Sequence, residues 1–209
     1  MTKQTIAVLA VLFILASCTT QTNTPKTNSN TNTPVKSPEF IEFESLFSLV
    51  DTFGFTIGMK EWNNYKPKEI TQKQAEDFLN AKLVFDEDLE CFNTTYTAIA
   101  KIIFPEKKVT GLIVHETVCP MPAVYDDFLL YVFDSSGKFT DLAELGFLRG
   151  GHGDSEKATS VFHDMKFTKT VTHEYIVDFN IGIEEKIETK HFEIILNPDG
   201  TISETPLEK

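Results

Sequence analysis

Positive charge is in short supply. Nineteen lysines and arginines stand against 31 acidic residues, a formal net charge of −12. Nucleic acid and anionic lipid headgroups are held through Lys and Arg patches, and no basic cluster reverses the balance locally, so nucleic acid is excluded as a partner. The acidity itself reads as a solubility device. Cysteine is scarce as well, with three in 209 residues, and none falls in a CxxC pair, which removes dithiol redox chemistry. HExxH, His-x-His, G-x-S-x-G, P-loop and Rossmann glycine patterns are all missing. Asp134-Ser135-Ser136-Gly137 lacks the further carboxylates of a calcium loop. The sequence therefore calls for no cofactor and no metal, and argues against catalysis.

What is present begins with Lys3 and an unbroken apolar run from Ile6 to Ala16, too short to span a bilayer but suited to the core of a signal peptide. Leu15-Ala16-Ser17-Cys18 follows. This resembles the lipobox of bacterial lipoproteins, and the resemblance implies that Cys18 is acylated and becomes the mature N-terminus. The implied location is the bacterial cell envelope, lipid-anchored, periplasmic or surface-exposed. Residues 19–38, TTQTNTPKTNSNTNTPVKSP, carry almost nothing that can bury apolar surface and are expected to stay disordered. As a flexible leash they would span roughly 25 Å root-mean-square. The division is then residues 1–17 as leader, 18–38 as lipidated cysteine and tether, and 39–209 as one globular domain.

With Cys18 assigned to the anchor, Cys91 and Cys119 form the remaining pair. A disulfide between them would close a loop of 28 residues, worth about 3–4 kcal/mol in the chain-entropy picture. Two buried free thiols fit the sequence equally well. Phenylalanine is abundant, 18 residues against five Tyr and one Trp. Most should form core, each stabilising by about 1.5–3 kcal/mol, and a fraction is left to line a ligand pocket or partner surface.

Ser37 can cap a helix whose first residue is Pro38, and Phe43, Leu46, Phe47 and Val50 recur as one apolar stripe. A second helix is predicted from Thr71, with Thr71 and Gln74 as capping box, to about Asn80. Strands follow over Tyr96–Phe104, Val109–Glu116, Phe128–Phe133, Lys138–Leu145, Val171–Phe179, Phe192–Leu196 and Thr201–Ser203, joined by turn chemistry such as Pro105-Glu106-Lys107 and Asn197-Pro198-Asp199-Gly200. Phe128–Phe133 is apolar on both faces, which marks a central strand. The alternation of Tyr175, Val177 and Phe179 against Glu174 and Asp178 marks a sheet with one wet face. The expected fold is mainly β (α+β): an antiparallel β-meander with two short N-terminal helices, closed as a barrel, stacked as a sandwich or left open. No long helix separates the strands, so no parallel crossover is expected. The Phe-rich opening and the strands TYTAIAKI and LLYVFDSSGKFTDLAEL resemble small envelope lipoproteins of the Bacteroidetes type. That resemblance covers about half the domain and implies no catalytic residues.

Five histidines each have an acid beside them or two residues away. In a strand only the spaced pairs share a face, which leaves His191 with Glu193 and His152 with Asp154, whereas His173 falls beside Tyr175 as a satisfied histidine. Arg149-Gly150-Gly151-His152-Gly153-Asp154-Ser155 is the sharpest local feature: glycines let backbone approach a ligand held by His152 and Asp154, or simply join two strands. The adjacent acids Asp126 and Asp127 are a further pair open to acid–base work. Three functions follow. The first is a non-catalytic envelope lipoprotein binding a protein, glycan or small apolar ligand through the Gly150–Ser155 and Met121–Asp127 segments. The second is a metal-assisted hydrolase using His152 and Asp154 with His115 or His163. The third is an inhibitor or immunity-type lipoprotein opposing a basic lytic enzyme.

Overall fold

The computed structural model describes residues 35–50, 54–80, 94–118, 124–151, 154–177 and 184–208. The leader, the lipobox, most of the tether, Cys91, Cys119 and His152 lie outside them. Ser37 Oγ accepts the Phe40 N–H at 3.1 Å and Pro38 takes the first helical position, so helix α1 (Pro38–Glu44) starts at the expected cap. It stops sooner than the apolar stripe predicts. The Ser45 hydroxyl turns back onto Glu42 O at 2.6 Å, and the chain extends into strand β1 (Ser48–Leu49). Phe43 and Phe47 still share one buried cluster, but Val50 packs on a different one, against the opposite face of the sheet. Tertiary packing overrides helical periodicity here.

Strand β2 (Phe55–Ile57), a 3-10 helix (Trp62–Tyr65) and β3 (Lys68–Ile70) lead to α2 (Gln72–Phe78). The capping box is formed: the Gln74 N–H donates to Thr71 Oγ1 at 3.3 Å and the Thr71 N–H to Gln74 Oε1 at 3.0 Å. Among the described residues no helix is long and apolar enough to cross a membrane.

The meander follows as β4 (Thr95–Phe104), β5 (Val109–Val118), β6 (Val124–Asp134), β7 (Phe139–Gly151), β8 (Asp154–His163), β9 (Lys166–Val177), β10 (Glu184–Leu196) and β11 (Ile202–Pro206). Each pairs antiparallel with the one before it. The fold is therefore mainly β with two short helices. The full order is β1-β4-β5-β6-β7-β8-β9-β10-β11, with β2 added beside β8 and β3 beside β4. It runs from one edge to another and is not closed into a barrel. One pairing departs from expectation: β1 runs parallel to β4, with Ser48 opposite Ala100 and Leu49 opposite Lys101. A strand of two residues carries no periodicity to read. β8 is also not legible in the pattern, because Asp154–His163 places only Ala158, Ser160 and Phe162 in the core, exposes Val161 and is polar elsewhere.

Irregular register in the β6–β7 ladder at Phe128/Leu129 and Val132/Phe133 bends the sheet, and the strands after β7 fold back over those before it. Ile99, Ile102, Phe104, Ile113, Phe128 and Leu130 from β4–β6 share one core with Phe162, Phe167, Ile194 and Leu196 from β8–β10. At the returning end, Thr140 Oγ1 donates to Gly200 O at 3.2 Å and the Ile202 N–H to Asp141 Oδ2 at 2.6 Å. The other face of β4–β6 presents Tyr96, Ala98, Leu112, Val114, Tyr131 and Phe133 to Phe40, Phe43, Ala75 and Leu79 of the helical layer.

The turn from β6 to β7 is held by Asp134 Oδ1, which accepts from the Ser136 N–H at 2.8 Å and the Lys138 N–H at 3.0 Å. Gly137 within it has φ +83°, and a Cβ there would stand 2.6 Å from Phe40 Cδ1. Gly137→Ala should therefore destabilise the domain by about 1–3 kcal/mol, measured by chemical denaturation.

Candidate functional site

Five segments of sheet meet at one end of the molecule: the end of β5, the starts of β6 and β8, and the ends of β7 and β9. Most of the polar side chains singled out above gather there. On the face toward the folded-over half, β5 carries His115 and Thr117, and β6 carries Asp126 and Phe128 opposite Thr117 and His115 respectively. His115 and Asp126 are 5% and 6% exposed. His115 Nε2 lies 2.8 Å from Asp126 Oδ1, and the Thr117 hydroxyl donates to the same oxygen at 2.8 Å. A carboxylate only accepts, so Nε2 carries the proton. The ring stacks on Phe128 with centroids 4.6 Å apart at 13°, and Trp62 of the 3-10 helix covers it, also at 4.6 Å.

This arrangement places Thr, His and Asp together without making a nucleophilic triad. In a triad the hydroxyl donates to one imidazole nitrogen and the other nitrogen donates to the acid. Here hydroxyl and imidazole both donate to one carboxylate oxygen, and the imidazole nitrogen nearest Thr117, at 3.3 Å, is the protonated one, so His115 is not placed as its base. What the cluster does is satisfy two buried polar groups and the half-buried Thr117 hydroxyl, and fasten the 3-10 helix to the sheet through Trp62.

Asp127, one residue on, faces the other way, as strand pleating requires. Arg149 NH2 lies 2.6 Å from Asp127 Oδ1, and the same guanidinium also pairs with Glu144. Its carbon sits 4.4 Å over the Phe147 ring. The adjacent acids Asp126 and Asp127 thus stand on opposite faces with separate partners and cannot work as an acid–base pair. On the same outer face, burial and then the charge of Asp127 push the Glu116 carboxyl above its usual range, against a hydrogen bond from Tyr96 that lowers it. Burial, followed by Glu116, pushes the Tyr96 phenol up to about 12.

Asp154 of the predicted ligand pair is described, and its partner is His173 across the β8–β9 ladder, with Nε2 2.6 Å from Oδ1. His173 also packs 4.8 Å from the Tyr175 ring, and Tyr175 OH donates to Glu188 Oε1 at 2.8 Å. His191 and Glu193 share a face but not a bond: His191 Nδ1 lies 3.2 Å from Thr170 Oγ1, and Glu193 pairs with Lys166. His163 pairs with Asp164 at 2.7 Å in the turn after β8. His163 and Asp154 occupy opposite ends of β8, about 30 Å apart at strand rise, so they cannot share a metal ion. Among the described residues no group of three His, Cys, Asp or Glu is placed to hold one. Of the expected binding segments, 124–127, 150–151 and 154–155 are paired strand; 121–123 and 152–153 lie outside the described residues. Sequence reasoning missed Lys169, which is 5% exposed and held by Glu204 at 2.8 Å and by Glu144 O at 3.3 Å. Its position between Phe167 and Val171 on the inward face of β9 was the available signal.

Compared with protein-family models, with curated proteins and with solved structures, the chain matches none.

Two outcomes follow from this geometry. Asp126→Ala takes the acceptor from the buried His115 Nε2 and from the half-buried Thr117 hydroxyl and should cost about 2–3 kcal/mol, whereas Asp127→Ala, at a part-exposed ion pair, should cost less than about 1 kcal/mol; denaturation midpoints separate them. Glu116 has its pKa raised on folding, so its contribution to stability is intact below the ordinary carboxylate range and is lost as pH rises through the raised value. Glu116→Gln should therefore raise Tm at neutral pH, with the gain shrinking as pH falls to about 4.

Proposed function

We propose that this chain is an envelope lipoprotein whose β-rich domain binds a ligand or partner without catalysing a reaction. The observation that carries the proposal is the order of sequence features. A lipobox cysteine, Cys18, is followed by a run of Thr, Asn, Ser and Pro that ends on the Ser37 cap of the first helix. Such a run reaches at most roughly 70 Å when fully extended, which keeps the domain near a bilayer yet free of it. Acyl chains contribute about 0.8 kcal/mol per buried CH₂, so a multiply acylated cysteine anchors durably.

The geometry of the domain supports the non-catalytic half of the reading. His115, Asp126, Thr117, Asp127, Arg149, His173 and Asp154 each bond to a neighbour on their own or the adjacent strand. Catalytic groups converge instead on a space where a reacting atom can sit.

The test is fractionation of cells expressing the full chain, with mass spectrometry of the mature N-terminus. The wild type should sediment with membranes and begin at an acylated Cys18, and Cys18→Ser should lose both properties. An unprocessed Met1, or a processed end without lipid, would remove the assignment.

A further inference from the structure

The β6–β7 turn, the start of α1 and the end of α2 line an open recess of about 380 Å³. Four phenylalanines, Phe40, Phe78, Phe133 and Phe139, form its apolar lining, with Ser37 and Ser136 beside them. Phe40 lies 4.9 Å from Phe133 at 52° and 5.7 Å from Phe78 at 72°, and Phe139 lies 6.1 Å from Phe133 at 71°. The rings are therefore tilted or edge-on to one another, an arrangement that aromatic quadrupoles favour and that a further ring can join. Phe40 and Phe133 form a floor that is 2% and 1% exposed, while Phe139 at the mouth is 37% exposed. The volume falls at the lower end of the range for small-molecule sites, roughly 300–1,000 Å³.

The rim carries two charged side chains, Asp77 and Lys138. Asp77 is already paired, with Lys73 Nζ 2.7 Å from Oδ2. Lys138 has no acidic partner within 4 Å among the described residues. Asp134 Oδ1 of the same turn already accepts three hydrogen bonds, from Ser136 N, Ser136 Oγ and Lys138 N. The Lys138 side chain acts on Asp134 through its charge alone, so among the described residues its ammonium is not held in an ion pair and stands beside the aromatic recess.

We propose that this recess binds a planar aromatic anion, its ring system against the phenylalanines and its carboxylate or sulfonate at Lys138. The proposal names the ligand class for the binding function proposed above and rests on that reading. The turn itself serves the site. A side chain at residue 137 would collide with Phe40, so Gly137 lets the turn carrying Lys138 close over the floor.

The test is equilibrium dialysis of naphthalene-2-carboxylate against the full chain. Saturable uptake at one molecule per chain is expected, weakened at least about tenfold by Lys138→Glu. Naphthalene-2-carboxamide and cyclohexanecarboxylate should each be taken up more weakly, one lacking the charge and the other the ring. Lys157→Glu, on an exposed face of β8, should leave uptake unchanged. Lys138 is exposed, and Lys138→Gln, which removes the charge without adding a negative one beside Asp134, should weaken uptake in the same direction with an unchanged denaturation midpoint. Uptake that is absent, unsaturable, unchanged in Lys138→Glu, or equal for the carboxamide overturns the proposal. A chain that is acylated at Cys18 but takes up no naphthoate defeats the site alone. A chain that takes up naphthoate but carries no lipid defeats the anchor alone.

Discussion

The double burial of β4, β5 and β6 is the constraint on which the rest of the molecule depends. Antiparallel strands usually keep one face wet, but here both faces of three neighbouring strands are apolar. One is covered by the returning half of the same meander and the other by two helices of seven residues each. Isolated helices of that length are not stable in water. They persist because Phe40, Phe43, Ala75 and Leu79 find Leu112, Val114, Tyr131 and Phe133 beneath them. The bend in the β6–β7 ladder has the same origin, since without it Phe162, Phe167 and Ile194 would face solvent.

A core of this kind forces an answer for every polar group that the strands carry inward. His115, Asp126 and Thr117 answer by bonding among themselves, Ser160 by donating to Leu145 O, and Lys169 by reaching Glu204 and the Glu144 carbonyl. No buried side-chain nitrogen or oxygen among the described residues is left without a partner. These groups specify register, because a slip by one residue would turn each of them away from its partner. The polar cluster that looks most like chemistry is thus a fastening of the fold, and the open recess lies elsewhere, among the phenylalanines.

How far the sequence disclosed this depends on the kind of signal. Caps were legible because they are local: Ser37 before Pro38, and Thr71 three residues before Gln74, act through bonds within one turn. The central strand was legible because Phe128–Phe133 is apolar at every position, and the hairpins because Asp134 and Gly137, or Asn197 and Gly200, meet turn requirements. The length of α1 was not, since the stripe through Val50 continues into a strand that serves the opposite face of the sheet. β8 was hidden because its inward residues include Ser160, whose partner is a distant carbonyl. The site was the least legible part. Asp154 did prove to face a histidine, but the described partner, His173, stands 19 positions away across a ladder. The partition of Asp126 and Asp127 to opposite faces follows from pleating alone, and could have been read.

Native-state hydrogen exchange measures the double burial directly. Amides of Ile99–Ile103, Gly111–Val114 and Leu129–Val132 should exchange only through global unfolding, while those of Lys186–Lys190, exposed along their length, should exchange fastest among the strands. Slowest exchange in β8–β10, or equal protection across all strands, would contradict a fold organised around a middle layer covered on both sides.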